Sequence, residues 1–120
     1  MNPNNLLADP ECLEIEKFVS ETDLINIVVH SILPTAECPD CHQFSGSLKT
    51  RYLRQVADLP WHGVKIKLLL KVRKFRCRNV LCVRKVFCER LPKVVATYAR
   101  RTFRLNEVIL LLAFTLGGRN

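Results

Sequence analysis

Five cysteines carry most of the chemistry available to this sequence. Cys38 and Cys41 stand in "CPDC", and Cys77, Cys82 and Cys88 fall within "CRNVLCVRKVFC". Thiolates are soft, anionic donors, and Zn2+ takes four of them in a closed tetrahedron that leaves no position for water. In Cys-x-x-Cys, Pro39 and Asp40 favour a turn that lets both sulfurs face one ion. Cys77 and Cys82 enclose four residues, the upper edge of the usual ligand spacing, with Asn79 as turn former. Two knuckles therefore supply four ligands for one Zn2+: Cys38, Cys41, Cys77 and Cys82. The intervening chain must fold back to bring them together, at an entropic cost that grows only with the logarithm of its length.

The remaining candidates read otherwise. Cys88 lies six residues past Cys82 in strand-like "VFCERLP" and is expected to pack as a core cysteine. Cys12 has no cysteine at ligand spacing and is expected to be a small buried apolar residue. His42 follows Cys41 directly and should point away from the knuckle; His62 reads as an ordinary polar residue. A redox role for the CxxC requires a βαβ context with a helix starting at the first cysteine, and neither is seen. A four-thiolate site has no open coordination position, so the metal is structural. The sequence also lacks GxSxG, HExxH and a glycine-rich phosphate loop, so it is not expected to be an enzyme or to take a small-molecule substrate.

The elements that must position these thiols follow from local pattern. "CLEIEKFV", "SETD" and "LINIVVHSI" read as a β-hairpin ended by Pro34. In "VKIKLLLKVRKFRC", Val64, Ile66, Leu68, Leu70 and Val72 alternate with Lys65, Lys67, Leu69, Lys71 and Arg73. That is a strand with one apolar and one cationic face, delivering Cys77 to its knuckle. "VRKVFCERL" leaves the knuckle as another strand, giving the hairpin layout of a zinc ribbon. A helix is expected from Thr102 or Arg104 to Leu116, stopped by Gly117 and Gly118. Its nearly continuous apolar surface requires a partner. The fold class is thus α+β, mostly β: a zinc-ribbon-like module with an N-terminal β-hairpin and a C-terminal helix. The expected division is an acidic β-hairpin extension over 1–36, a zinc-binding β module over 37–96 and the start of a helix-turn-helix-like segment over 97–120.

A chain of 120 residues accommodates one modest domain or a metal-stapled module, and a large enzyme with a deep cleft is not expected. With 48% hydrophobic and 25% charged residues, it has the composition of a chain that folds. No signal peptide is visible, and the longest apolar run, Val108 to Leu116, is too short to span a bilayer. A cytoplasmic protein without a membrane anchor is expected, which favours metal ligation over disulfides. Charge is strongly segregated. Residues 1–40 hold eight acids against Lys17, net −7, while residues 41–120 hold eighteen bases against Asp58, Glu89 and Glu107, net +15. Such concentrated Lys and Arg suit a phosphate-bearing partner, namely nucleic acid.

The ordered set "CPDC", "TRYLRQVADLPWHG", "VKIKLLLKVRKFRC", "CRNVLCVRKVFCERLP", "YARRTFRL" and "GGR" resembles the zinc-finger N-terminal region of ISL-three group insertion-sequence transposases, over about residues 24–119. Its most specific elements are Asp58-Leu59-Pro60, the run from Val72 to Cys77, Phe87 with Glu89, and Arg101-Thr102. The resemblance implies a module that recognises the terminal inverted repeats of a mobile element. It carries the ligand set over to Cys38, Cys41, Cys77 and Cys82, and does not require Cys88. In the family, a helix-turn-helix and a catalytic domain with three acidic metal ligands follow. This sequence ends at Asn120. Where the family often has a His-Ser pair, Lys49 and Thr50 precede Arg51 and Tyr52.

The reading that results is the DNA-binding zinc module of a truncated or split transposase, nucleoid-associated when bound to double-stranded DNA. Arg73, Lys74, Arg76, Arg78, Arg84 and Lys85 flank the second knuckle. Arg51, Arg54, Lys65, Lys67 and Lys71 extend the cationic surface. Arg100, Arg101 and Arg104 stand at the helix start, where cations are unfavourable unless an anion approaches. A rival reading makes the chain a protein-interaction or regulatory fragment whose apolar helix binds full-length transposase or a second copy.

Overall fold

The computed structural model describes residue 7 and residues 9–116. Seven strands and one helix follow in order: β1 Leu13–Ser20, β2 Leu24–Ser31, β3 Ala36–Glu37, β4 Phe44–Ser45, β5 Leu48–Trp61, β6 Val64–Arg76, β7 Val86–Cys88 and α1 Phe103–Leu116. The architecture is mostly β with a C-terminal helix, as the pattern predicts. Gly117 and Gly118, the expected helix stop, lie outside the described residues.

β6 is the centre of the main sheet, whose order is β1-β2-β6-β5. One edge of β6 pairs antiparallel with β5. Its other edge pairs with β2 over Lys65 to Lys71 and with β7 over Lys74 to Arg76. The hairpin β1–β2 forms as expected. Its second strand joins β6 in parallel, with Leu24 opposite Lys65 and His30 opposite Lys71. β-Branched Ile27, Val28 and Val29 are all buried there, on both faces of the sheet, as is usual for a strand in a parallel pair.

The alternation along β6 is realised. Ile66, Leu68, Leu70 and Val72 are buried in a core with Leu13, Ile27, Val29, Val56, Val94 and Val95. A second core of Ala36, Cys38, Phe75, Cys82 and Phe87 surrounds the knuckles. Side chains alternate across a strand, so even-numbered Val72 and odd-numbered Phe75 face opposite sides of the sheet. The two cores are therefore back to back.

Fourteen-residue β5 carries no period-two signal. It lies at a sheet edge, and its register shifts between Leu48 and Thr50 and again between Asp58 and Trp61. Segment 100–102 runs along that edge. The Ala57 N–H donates to the Arg100 carbonyl and the Thr102 N–H to the Ala57 carbonyl, each at 2.9 Å. Thr102 then caps α1, its Oγ1 accepting from the Leu105 N–H at 3.3 Å. The fully buried Thr102 hydroxyl donates to Asp58 Oδ1 at 2.8 Å, and the Arg104 guanidinium grips the same carboxylate through Nε and Nη2, at 2.8 and 2.5 Å. This latch fixes the start of the helix. Beyond it, Leu110, Leu111, Leu112 and Phe114 are exposed.

Candidate metal centre

Each knuckle is built by short-range backbone hydrogen bonds. The β3–β4 pair leads into and out of the first, where the Cys38 N–H donates to the Gln43 carbonyl and the His42 N–H to the Cys38 carbonyl, both at 2.9 Å. His42 takes the left-handed conformation, φ 63°, that closes the turn. Its ring turns out to Glu37, with Nδ1 2.9 Å from the carboxylate, and stays clear of the thiols. In the second knuckle Asn79 shapes the bend: its side-chain Oδ1 accepts from the Leu81 N–H at 3.1 Å and its carbonyl from the Cys82 N–H at 3.0 Å. The Cys77 N–H closes the base on the Lys85 carbonyl at 2.9 Å.

Phe75 and Phe87 hold the two knuckles together. They stand opposite each other in β6 and β7, are both 1% exposed, and stack with ring centroids 6.0 Å apart. The Arg84 Nε donates to Asp40 Oδ2 at 3.0 Å and ties the second knuckle to the first.

The result is a convergence of four sulfurs. Sγ of Cys38 lies 3.9 Å from that of Cys82, and Sγ of Cys41 lies 3.6 Å from that of Cys77. All four lie within 4.8 Å of one another. A tetrahedron with Zn–S bonds of about 2.3 Å has edges of about 3.8 Å, so these separations suit one such ion. They are far beyond a disulfide bond of about 2.05 Å, and all six cysteines are free thiols.

Four thiols this close cannot all ionise independently. The backbone N–H of Gln43, helped by the neighbouring thiols, holds Cys41 down to about 6. At Cys77 the backbone N–H of Asn79 also favours the thiolate, but burial and the surrounding thiols outweigh it and push the group up to about 12. An early thiolate at Cys41 beside thiols at Cys77 and Cys82 that are pushed up is a donor set that a dication resolves, because it attracts the thiolate charges together. Cys88 takes no part. It lies opposite Lys74 in β7, on the other face from Phe87, and packs against the first core.

The cationic positions divide into those with partners inside the chain and those without. Arg73, with its side chain 15% exposed, grips buried Glu89 through Nε and Nη2, at 3.1 and 2.5 Å, and donates to Ser31 Oγ. Arg104 holds Asp58, so the anion at the helix start is internal. Lys71 pairs with Glu16 at 2.7 Å, and this contact helps hold the Glu16 carboxyl below its usual range. Arg54 donates to the carbonyls of Ala96 and Ala99, both at 2.7 Å, and Arg76 to that of Leu48 at 2.9 Å. Arg84 is held by Asp40, and Lys74 sits over the Tyr52 ring. Arg51, Lys65, Lys67, Arg78, Lys85, Arg100 and Arg101 make no ion pair or side-chain hydrogen bond among the described residues. These seven are not gathered in one place. They lie on the outer sheet face, on the second knuckle and before α1.

The sequence pattern names Thr102 only as a helix start and gives no structural role to Asp58 or Glu89, yet all three are buried anchors for the cations and the helix. The available signal was an acid inside an otherwise basic stretch.

The family model for the zinc-finger of transposase IS204/IS1001/IS1096/IS1165 matches residues 34–82. That span begins just before β3, ends on the fourth thiol, and agrees with the resemblance drawn from the ordered motifs. No curated protein and no solved structure matches the chain. Among the described residues, no helix is long and apolar enough to cross a membrane.

Proposed function

We propose that Cys38, Cys41, Cys77 and Cys82 hold one structural Zn2+, and that the module around it binds double-stranded DNA for a transposase, recognising the terminal inverted repeats of an insertion sequence. The observation that carries the reading is the four-thiol cluster inside the segment that matches a transposase zinc finger. When bound, the metal supplies cross-linking rather than catalysis, because four thiolates close its coordination sphere. Binding, not bond cleavage, is then the role of the described residues, in the cytoplasm and at the nucleoid.

Contact with DNA falls to Arg51, Lys65, Lys67, Arg78, Lys85, Arg100 and Arg101, the proposed contact cations that have no internal partner among the described residues. Phosphate neutralisation releases counterions, with a slope in log K against log salt of about −0.9 per contact. Seven contacts set a ceiling of about −6. Fluorescence anisotropy of a labelled inverted-repeat duplex across a salt series tests this. Absence of binding at low salt, or affinity indifferent to salt, overturns the proposal.

A second reading draws on α1. Its exposed Leu110, Leu111, Leu112 and Phe114 suit association with another protein chain, either a full-length transposase or a second copy. Salt-insensitive dimerisation without DNA affinity would favour it.

A further inference from the structure

The two knuckles differ at their tips. The first turns through Pro39 and Asp40, whereas the second is two residues longer and carries Val80 and Leu81 at its tip, with Val83 just past Cys82. These three side chains are 91%, 89% and 88% exposed. Ligation does not require this, since the shorter polar knuckle places its sulfurs in the same cluster. Nor is the tip a loose loop. Asn79 fixes it with two hydrogen bonds, and the Cys77–Lys85 bond closes its base. Three apolar groups are thus held in water by a rigid support.

The surroundings point to the partner. Arg78 and Lys85 stand on either side of the tip, exposed and without an internal partner among the described residues. The nearby acid of the first knuckle, Asp40, is taken up by Arg84. An apolar point between unneutralised cations complements a groove walled by phosphates and floored by base edges. Proteins that enter the minor groove use this combination, pressing apolar side chains between base steps while cations engage the backbone.

We propose that Val80, Leu81 and Val83 form a wedge that enters the minor groove of duplex DNA and kinks it, with Arg78 and Lys85 on the flanking phosphates. This rests on the DNA-binding reading above and adds how the knuckle touches the duplex and what it does to its shape.

The test uses the full zinc-loaded chain and a duplex of about 30 base pairs carrying a dye at each end, with affinity read by anisotropy and bending by energy transfer. Wild type is expected to shorten the end-to-end distance, as a kink of some 20–90° does. Val80→Ser/Leu81→Ser should keep the metal stoichiometry and the salt slope, abolish the bend, and weaken binding about tenfold. Val83→Ser, outside the cysteine pair, should reduce the bend and serves as the readout should the double variant lose metal. Binding without bending by wild type, or equal bending by the variants, overturns the wedge and leaves the DNA-binding reading standing. Failure of wild type to bind any duplex overturns both. Sedimentation with anionic phospholipid vesicles that depends on the three apolar residues, with DNA bending unaffected, would assign the tip to lipid and also overturn the wedge.

Discussion

The Asp58–Arg104 latch predicts an asymmetry between its two halves. The Asp58 carboxylate is 2% exposed and the Arg104 side chain 31%. Removing the arginine strands a buried anion, while removing the aspartate leaves a guanidinium that water reaches. Arg104→Met should therefore cost about 3–5 kcal/mol at pH 7, as expected when a buried pair loses one member. Asp58→Ala loses the acceptor for the buried Thr102 hydroxyl and for the Leu59 N–H, and should cost less, about 2–3 kcal/mol. The difference must also depend on pH. Burial alone would raise the Asp58 carboxyl, but hydrogen bonds from Arg104, Thr102 and Leu59, with the arginine's charge, outweigh it and hold the group below its usual value. In wild type the latch is at full strength above the unfolded pKa of about 3.9 and weakens as pH falls through the lower folded value. In Arg104→Met the carboxyl has lost its counterion, so its folded pKa should rise above 3.9 and acid should relieve the variant's defect. Urea unfolding of zinc-loaded wild type and variant from pH 7 down to pH 4, followed by helix circular dichroism, reads the gap between them. Metal release in acid affects both and largely cancels in the difference. A gap that stays constant or widens in acid would refute the reasoning, as would an Asp58→Ala cost exceeding that of Arg104→Met.

Two further outcomes follow from the site. Cys77→Ser should release the metal and loosen both knuckles, whereas Cys88→Ser, on the opposite face of β7, should leave metal content unchanged when zinc is titrated against a chromogenic chelator; equal loss from both would overturn the ligand set. Lys67→Ala should flatten the salt slope of DNA binding by about 0.9 without changing stability appreciably, while Arg73→Gln should destabilise the fold by about 3 kcal/mol and leave the slope of the folded fraction unchanged, because its charge is already taken by Glu89.

Short-range pattern made part of this molecule legible. The alternation in β6, the turn formers in the knuckles and the apolar run of α1 are each encoded within a dozen residues, and each appears where its pattern places it. β5 is different. Its buried positions include Val56 and Asp58, and an acid in a basic stretch reads as exposed until its partners are known. Those partners, Thr102 and Arg104, lie 44 and 46 residues away. The parallel pairing of β2 with β6 is equally remote in sequence. Its strands alternate or cluster apolar residues in ways that reveal a strand but not its neighbour.

The same limit explains the cations. Spacing identifies an arginine, but only the fold decides whether a carboxylate has already claimed it. Arg73 meets Glu89 sixteen residues on, and Arg104 meets Asp58. Several of the most specific residues of the resemblance, Asp58, Arg73, Phe75, Phe87, Glu89 and Thr102, are thus spent on the scaffold: a latch for the helix, an ion pair beneath the sheet and an aromatic floor under the thiols. Such residues fix where a surface points. On the DNA-binding reading proposed above, discrimination between DNA sequences must then come from residues outside this framework. Lys65 and Lys67, two residues apart on one face of β6, stand about 6.6 Å apart along the strand, so both can engage one phosphate backbone. That spacing suits backbone tracking, which carries no sequence information. On the wedge proposal, the second knuckle, tipped with side chains its metal does not need, is the part of this fold that meets the bases themselves.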